Sequence, residues 1–307
     1  MAAAEIRDPR LTVPAAGAEG NGTATDLDHI GVCTRDGPTL WAQWERLGFA
    51  LTPIARQSAP RIPGGPAEPL ATGNRCAMLR RGYLELLAIL DPALPDNGLG
   101  RFLDRYTGMH ILALATEDAG ANLPRLRRAG LDIHDVAMLE RPVDDPEGPR
   151  ARFARVPLPD APEGRVQLIE HLTPELLWQE RWLDHPNNAV ALAESILVAE
   201  RPAENAARLS RLAGMPLEPD PVGGYVLPLA ETRVRILPAA ALEALLPGVE
   251  PPSLPFHAAI TVLTGDGNAA ARRLLAGLAT ETPLGLTVPP EGAGGVAVAF
   301  RAAGQRG

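Results

Sequence analysis

The 307-residue chain is 46% hydrophobic and 21% charged, with a net charge of −8 from dispersed acidic residues, so it can bury a sizeable core and offers no basic surface for nucleic acid. Its two cysteines, Cys33 and Cys76, each sit inside an apolar run, which excludes a disulfide framework and a thiolate metal site. No run of about 18 uncharged apolar residues occurs, and the N-terminus has no basic stretch followed by an apolar one, so the expectation is a cytoplasmic protein with a small-molecule partner, without membrane span or signal peptide.

Residues 1–25 are rich in Ala, Gly and Pro and read as a disordered leader. "TDLDHIGVCT" (25–34) reads as a strand with His29 at its mouth, followed by a helical pattern that ends at Gly48 in "RLGF". "NRCAMLRRGYLELLAIL" supplies two strands with Arg80 and Arg81 at the turn. Asn74 and Arg75 mark a solvated strand end, and alternation puts Tyr83, Glu85 and Leu87 on one face. "MHILALAT" opens with His110 and leads to a helix ending at Gly130 in "RAGL", with His134 in the turn beyond.

The strands "RARFARVPL" and "RVQLIEHL" follow; Leu168, Glu170 and Leu172 share a face of the second, and His171 takes the other. In "TPELLWQERW", Thr173 as N-cap, Pro174 at the first position and Glu175 in the first turn predict a linking helix. Trp41, Trp44, Trp178 and Trp182 stand at helical spacings and read as packing residues. "LDHPNNA" (183–189) is a boundary, in which His185 precedes a proline and is structural. Beyond it, "ESILVAE" precedes a helix ending at Gly214, "GYVLPL" and "TRVRILP" follow, "HAAITVLT" opens with His257 before a helix ending at Gly277, and "GVAVAFRA" closes the pattern.

Counting back 19 residues from Gly48 and 20 from Gly130, Gly214 and Gly277 lands on His29, His110, Glu194 and His257. The unit is therefore strand, helix and about three strands, four times over. Such a unit cannot bury its sheet face alone. The predicted fold is α+β: four βαβββ modules arranged as two paired-module cupped sheets, over 26–188 and 189–307, with helices outside.

The first pair carries the chemistry. His29 and His110 open its first strands, and Glu85 and Glu170 sit on its last strands, so a pseudo-twofold pairing would bring all four to one point. Imidazole and carboxylate around a divalent cation (Zn, Mn, Fe or Ni) is a common ligand set. A Glu inside an apolar strand needs a compensating partner if buried, or an edge position facing solvent. In the second pair Glu194 replaces the first histidine and no matching Glu follows, so it reads as a degenerate packing or dimerisation half, compatible with a homodimer. His257 alone is a weak candidate.

"LDHIGV" with "RLGF", "GYLELLAI", "RAGL", "EHLTPELLWQ" and "HPNNA" resemble the vicinal oxygen chelate superfamily, and within it the bacterial glyoxalase-like domain proteins; the resemblance covers residues 26–188 and fades over 189–307. It implies a cupped sheet with a metal held by His29, Glu85, His110 and Glu170. It also implies a lyase or isomerase acting on a substrate that chelates the metal through vicinal oxygens, with Glu170 or Glu85 moving a proton. Two alternatives stay open. One is a non-haem Fe(II) ring-cleaving dioxygenase using His29, His110 and Glu170; the other is a metal-free small-molecule binding or resistance protein.

Overall fold

A computed structural model describes residues 22–60, 65–143, 147–159 and 161–304. Most of the expected leader lies outside these residues. Of its last four, the Ala24 N–H pairs with the Ala213 carbonyl and the Thr25 N–H with that of Ala115.

The first module comprises β1 (Leu27–Thr34), α1 (Gly37–Arg46), β2 (Ala55–Pro60), β3 (Ala67–Met78) and β4 (Tyr83–Ile89). A helical turn, α2 (Gly100–Leu103), leads to the second: β5 (Gly108–Ala115), α3 (Leu123–Arg128), β6 (Ala137–Pro142), β7 (Arg150–Leu158) and β8 (Arg165–His171). The third comprises β9 (Ala189–Ala199), α4 (Pro202–Ala213), β10 (Glu218–Pro219), β11 (Tyr225–Pro228) and β12 (Arg233–Pro238). After α5 (Leu242–Leu245) comes the fourth: β13 (Phe256–Thr264), α6 (Ala269–Leu274), β14 (Thr280–Thr282), β15 (Gly285–Val288) and β16 (Ala297–Ala302).

In every module the first strand lies parallel to the last, and the modules join through their first strands: β1 antiparallel to β5, and β9 antiparallel to β13. A short contact between β5 and β13, at Met109 and His257, links the two halves into one 16-stranded sheet.

The helices lie on one face of the sheet for local reasons. Asp36 caps α1 by accepting from the Thr39 N–H at 3.1 Å, and the helix turns Leu40, Trp41 and Trp44 inward. Gly48, Gly130, Gly214 and Gly277 all have φ between 71° and 85°, the left-handed turn that releases a helix into a loop. Against the helices pack Ile30 and Val32 of β1, Leu84 and Leu86 of β4, Leu112 and Leu114 of β5, and Val166 and Leu168 of β8. Residues of opposite parity face the concave side.

The linking helix predicted after Thr173 is only a 3₁₀ turn, Pro174–Leu176, with a second at Glu180–Trp182. The Thr173 hydroxyl accepts from the Arg152 N–H at 2.8 Å, so it ties the turn to β7 and does not cap a helix. Among the described residues no helix is long and apolar enough to cross a membrane.

Candidate functional site

The concave side of the first pair encloses a cavity of about 160 Å³. His29, Tyr83, Glu85 and Leu87 line it from β1 and β4, Asn74 and Cys76 from β3, and Arg155, Arg165, Gln167 and Ile169 from β7 and β8. The edge strands β2 and β6 form the lips, with Gln57 and Ser58 facing Glu140 and Arg141.

The placement of Asp28 beside His29 depends on a β-bulge. Between β1 and β5, Leu27 pairs with Leu114 and His29 with Ala113, leaving Asp28 as an extra residue. A bulge sets two successive side chains on one face, so Leu27 and Ile30 both enter the core while Asp28 and His29 both turn to the concave side. Asp28 Oδ1 lies 2.6 Å from His29 Nδ1, and Asp28 Oδ2 lies 2.8 Å from His171 Nε2. Burial alone would raise the Asp28 carboxyl. The hydrogen bonds from His171 and His29, reinforced by electrostatic attraction to the two rings, bring it down to about 2 instead.

An ionised Asp28 takes the Nδ1–H of His29 and leaves Nε2 as the free nitrogen, aimed at the cavity 4.0 Å from Glu85 Oε2. The ring is held from below by Tyr83, stacked at 4.5 Å. Burial and the neighbouring Asp28 and Glu85 carboxylates keep the Tyr83 phenol well above its ordinary value, so it stays neutral. Glu85 is compensated by Asn74, whose side-chain N–H₂ donates to Oε1. Asn74 is thus a buried partner of Glu85 and not a solvated strand end. Its own Oδ1 is buried without a partner. Arg75, by contrast, points out to Glu45 at 2.7 Å.

Of the four residues expected to converge, the structure brings together His29 and Glu85 and places His110 and Glu170 elsewhere. The reason is register. His29 pairs with Tyr83 and Gly31 with Glu85, while Ile111 pairs with Arg165 and Ala113 with Gln167. The two modules therefore correspond at an offset of 82 residues on both strands, His29 with Ile111 and Glu85 with Gln167. His110 matches Asp28 as the bulged residue of β5, between Met109 and Ile111.

His110 turns toward the β5–β13 junction, where Nε2–H donates to the Tyr106 carbonyl at 2.8 Å and the ring packs on Tyr106 and Phe102. Glu170 lies on the helix side of β8 and accepts from the Ala119 N–H at 2.9 Å. A slip of one residue moves a strand's side chains to the opposite face. His171, set aside in the sequence for facing away from Glu170, is on the concave side for that very reason.

A glyoxalase-like domain model matches residues 27–213 of the chain. The chain belongs to that family. The match runs past the boundary at 188 to the last residue of α4. Solved structures with this vicinal oxygen chelate fold include a hypothetical protein from Staphylococcus aureus, 11% identical, with TM-score 0.61 over 90% of this chain and 98% of that one. The Mn(II)-bound glyoxalase from Novosphingobium aromaticivorans is 12% identical, with TM-score 0.54 over 92% of this chain and 83% of its own. Homoprotocatechuate 2,3-dioxygenase from Arthrobacter globiformis is 12% identical, with TM-score 0.51 over 95% and 83%. No curated protein sequence matches the chain.

Whether this glyoxalase-like chain suits a divalent cation is decided by its donors. His29 Nε2 and Glu85 supply one imidazole and one carboxylate. The two positions that complete the set on β5 and β8 carry Ile111, which has no donor atom, and Gln167, whose amide oxygen accepts from Arg155 Nη1 at 3.3 Å. Ile111 fills the space above Gly31, where an added Cβ would meet its side chain at 2.6 Å. Arg155 and Arg165 bring positive charge to the same wall, and burial holds the Cys76 thiol at about 12. Among the described residues no group of three or more His, Cys, Asp and Glu is placed to hold a metal. The residues present do not fit a resident divalent cation.

Proposed function

We propose that this glyoxalase-like protein is a proton-transfer enzyme of the lyase or isomerase type, acting on a small substrate in the cavity of the first pair without a resident metal. The reading is carried by the chain His171, Asp28, His29, which ends on a free imidazole nitrogen in the cavity beside Glu85. His29 Nε2 removes a proton from the substrate, Asp28 and Glu85 stabilise the imidazolium so formed, and the same nitrogen returns the proton at a neighbouring atom. The dioxygenase alternative needs two imidazoles and a carboxylate on one metal, and His110 lies outside the cavity.

The test follows deuterium uptake from D₂O by NMR, across a panel of small carbonyl compounds, neutral and acidic. The wild type should exchange the proton next to the carbonyl of at least one member. His29→Gln should slow this by about 100-fold to 10,000-fold, and EDTA should leave it unchanged. Exchange that survives His29→Gln, that requires an added divalent ion, or that fails for the whole panel overturns the reading.

A further inference from the structure

The wall opposite His29 carries a cluster of arginines. Arg155 and Arg165 line the cavity from β7 and β8, and Arg141 from the lip strand β6. Two carboxylates share the lining, and both are engaged elsewhere: Glu85 with Asn74, and Glu140 with Arg150 at 2.7 Å. Among the described residues none of the three arginines has an ion-pair partner within 4.0 Å.

Their hydrogen bonds are few for groups with five donors each. Arg155 reaches Gln167 from Nη1, and its buried Nε finds no acceptor; Arg165 Nη2 donates to the Asn97 carbonyl at 2.7 Å. Burial, and then the charge of Arg165, hold the Arg155 guanidinium below its ordinary value, with Glu85 opposing. Guanidinium groups gathered in a partly buried pocket and held in no ion pair cost free energy that an anion would recover.

We propose that Arg155 and Arg165, with Arg141 at the lip, form the subsite for an oxyanion group of the substrate, a carboxylate or a phosphate, held across the cavity from His29. This rests on the reading of the cavity as the active site. Two planar guanidinium forks match the paired oxygens of such a group, and the acid so anchored presents its adjacent carbon or hydroxyl to Nε2.

The experiment is isothermal titration calorimetry of the full chain with malonate, with inorganic phosphate, and with malonamide as a neutral analogue of malonate. At least one anion should bind saturably and weaken as salt is raised. Malonamide should bind at least about tenfold more weakly, and Arg155→Met and Arg165→Met should each weaken the anion by about tenfold or more. Preference for malonate or for phosphate assigns the group. Anion binding is read by heat without turnover, which separates this inference from the loss of exchange.

Malonamide binding as well as malonate, no saturable binding of either anion, or unchanged affinity in both arginine variants overturns the subsite, and the proton-transfer reading then stands or falls on exchange alone. If Arg155→Met fails to fold, the malonate and malonamide comparison on the wild type and the Arg165→Met variant decide the matter.

Discussion

Asp28 and His29 are neighbours in a strand, and alternation would send them to opposite faces; the bulge lets one carboxylate orient two imidazoles. Asp28 stays ionised at any pH well above its value of about 2, so the tautomer of His29 is set by charge. Asp28→Asn keeps the shape of the side chain, removes that charge and offers an N–H₂ that favours the wrong tautomer. Deuterium exchange should fall by about 100-fold or more, with the thermal midpoint much less affected than the rate. Exchange within twofold of the wild type would remove Asp28 from the mechanism. The sequence held a signal for this arrangement. Leu27 and Ile30 are both apolar at a spacing of three, which strict alternation does not allow, and Met109 and Leu112 repeat the break in β5.

At the scale of elements, the same bulge in β5 serves a different end. His110 and His257 meet where the two halves touch, both fully buried; His110 donates to the Tyr106 carbonyl and His257 Nε2 lies 3.1 Å from the Glu163 carbonyl. Burial lowers His110 to about 4. Burial, and then the nearby His110, lower His257 to about 3.

The unfolded chain protonates these side chains near pH 6.5, whereas the folded protein resists until about 4 and about 3. Their contribution is therefore complete above about 6.5 and is lost as pH falls toward those values. Between pH 7 and pH 5 the urea midpoint should drop, by an amount equal to roughly 2 kcal/mol for each histidine. A midpoint unchanged over that range would mean the junction opens to water. Counting back from the helix-end glycines located β1 and β5 but put them one residue out of register, and the face of every β5 side chain depends on that residue.

Across the whole molecule, the two cups differ in what fills them. In the second, Glu194 is fully buried on β9 opposite Arg233, whose Nε donates to it, with Arg235 at 4.0 Å and the Thr261 hydroxyl at 3.4 Å. Arg235 is itself held by Asp220 at 2.6 Å. Leu242 and Leu245 of α5, with Leu246 after it, pack onto Ile196, Val198 and Leu237. An ion-pair cluster and an apolar plug occupy this concave side. In the first cup, α2 brings Leu103 against Leu87 and Ile111 at one end only and leaves the polar cavity open. Glu194→Ala should destabilise the protein by about 1 to 3 kcal/mol in urea unfolding, because it removes the buried carboxylate to which Arg233 Nε and the Thr261 hydroxyl donate. It should leave exchange per folded molecule unchanged. A stable variant with lost exchange would place chemistry in the second cup.

The sequence by itself determined the modules. Helix-terminal glycines, apolar alternation and polar strand mouths are local signals, and each βαβββ unit carries its own set. Placing His29 and Glu85 on one face needed only the parity of β1 and β4. The tertiary structure alone decided which side chains of the second module meet them. Pairing of β5 with β1 and β8 joins residues far apart in the chain, and with His110 taken up by the bulge the positions that match His29 and Glu85 fall to Ile111 and Gln167. The arginines were equally hidden. A cation within an apolar strand has no local mark of function, and Arg155 and Arg165 gain one only where the folded cup brings them together around a cavity whose two carboxylates bond to Asn74 and Arg150.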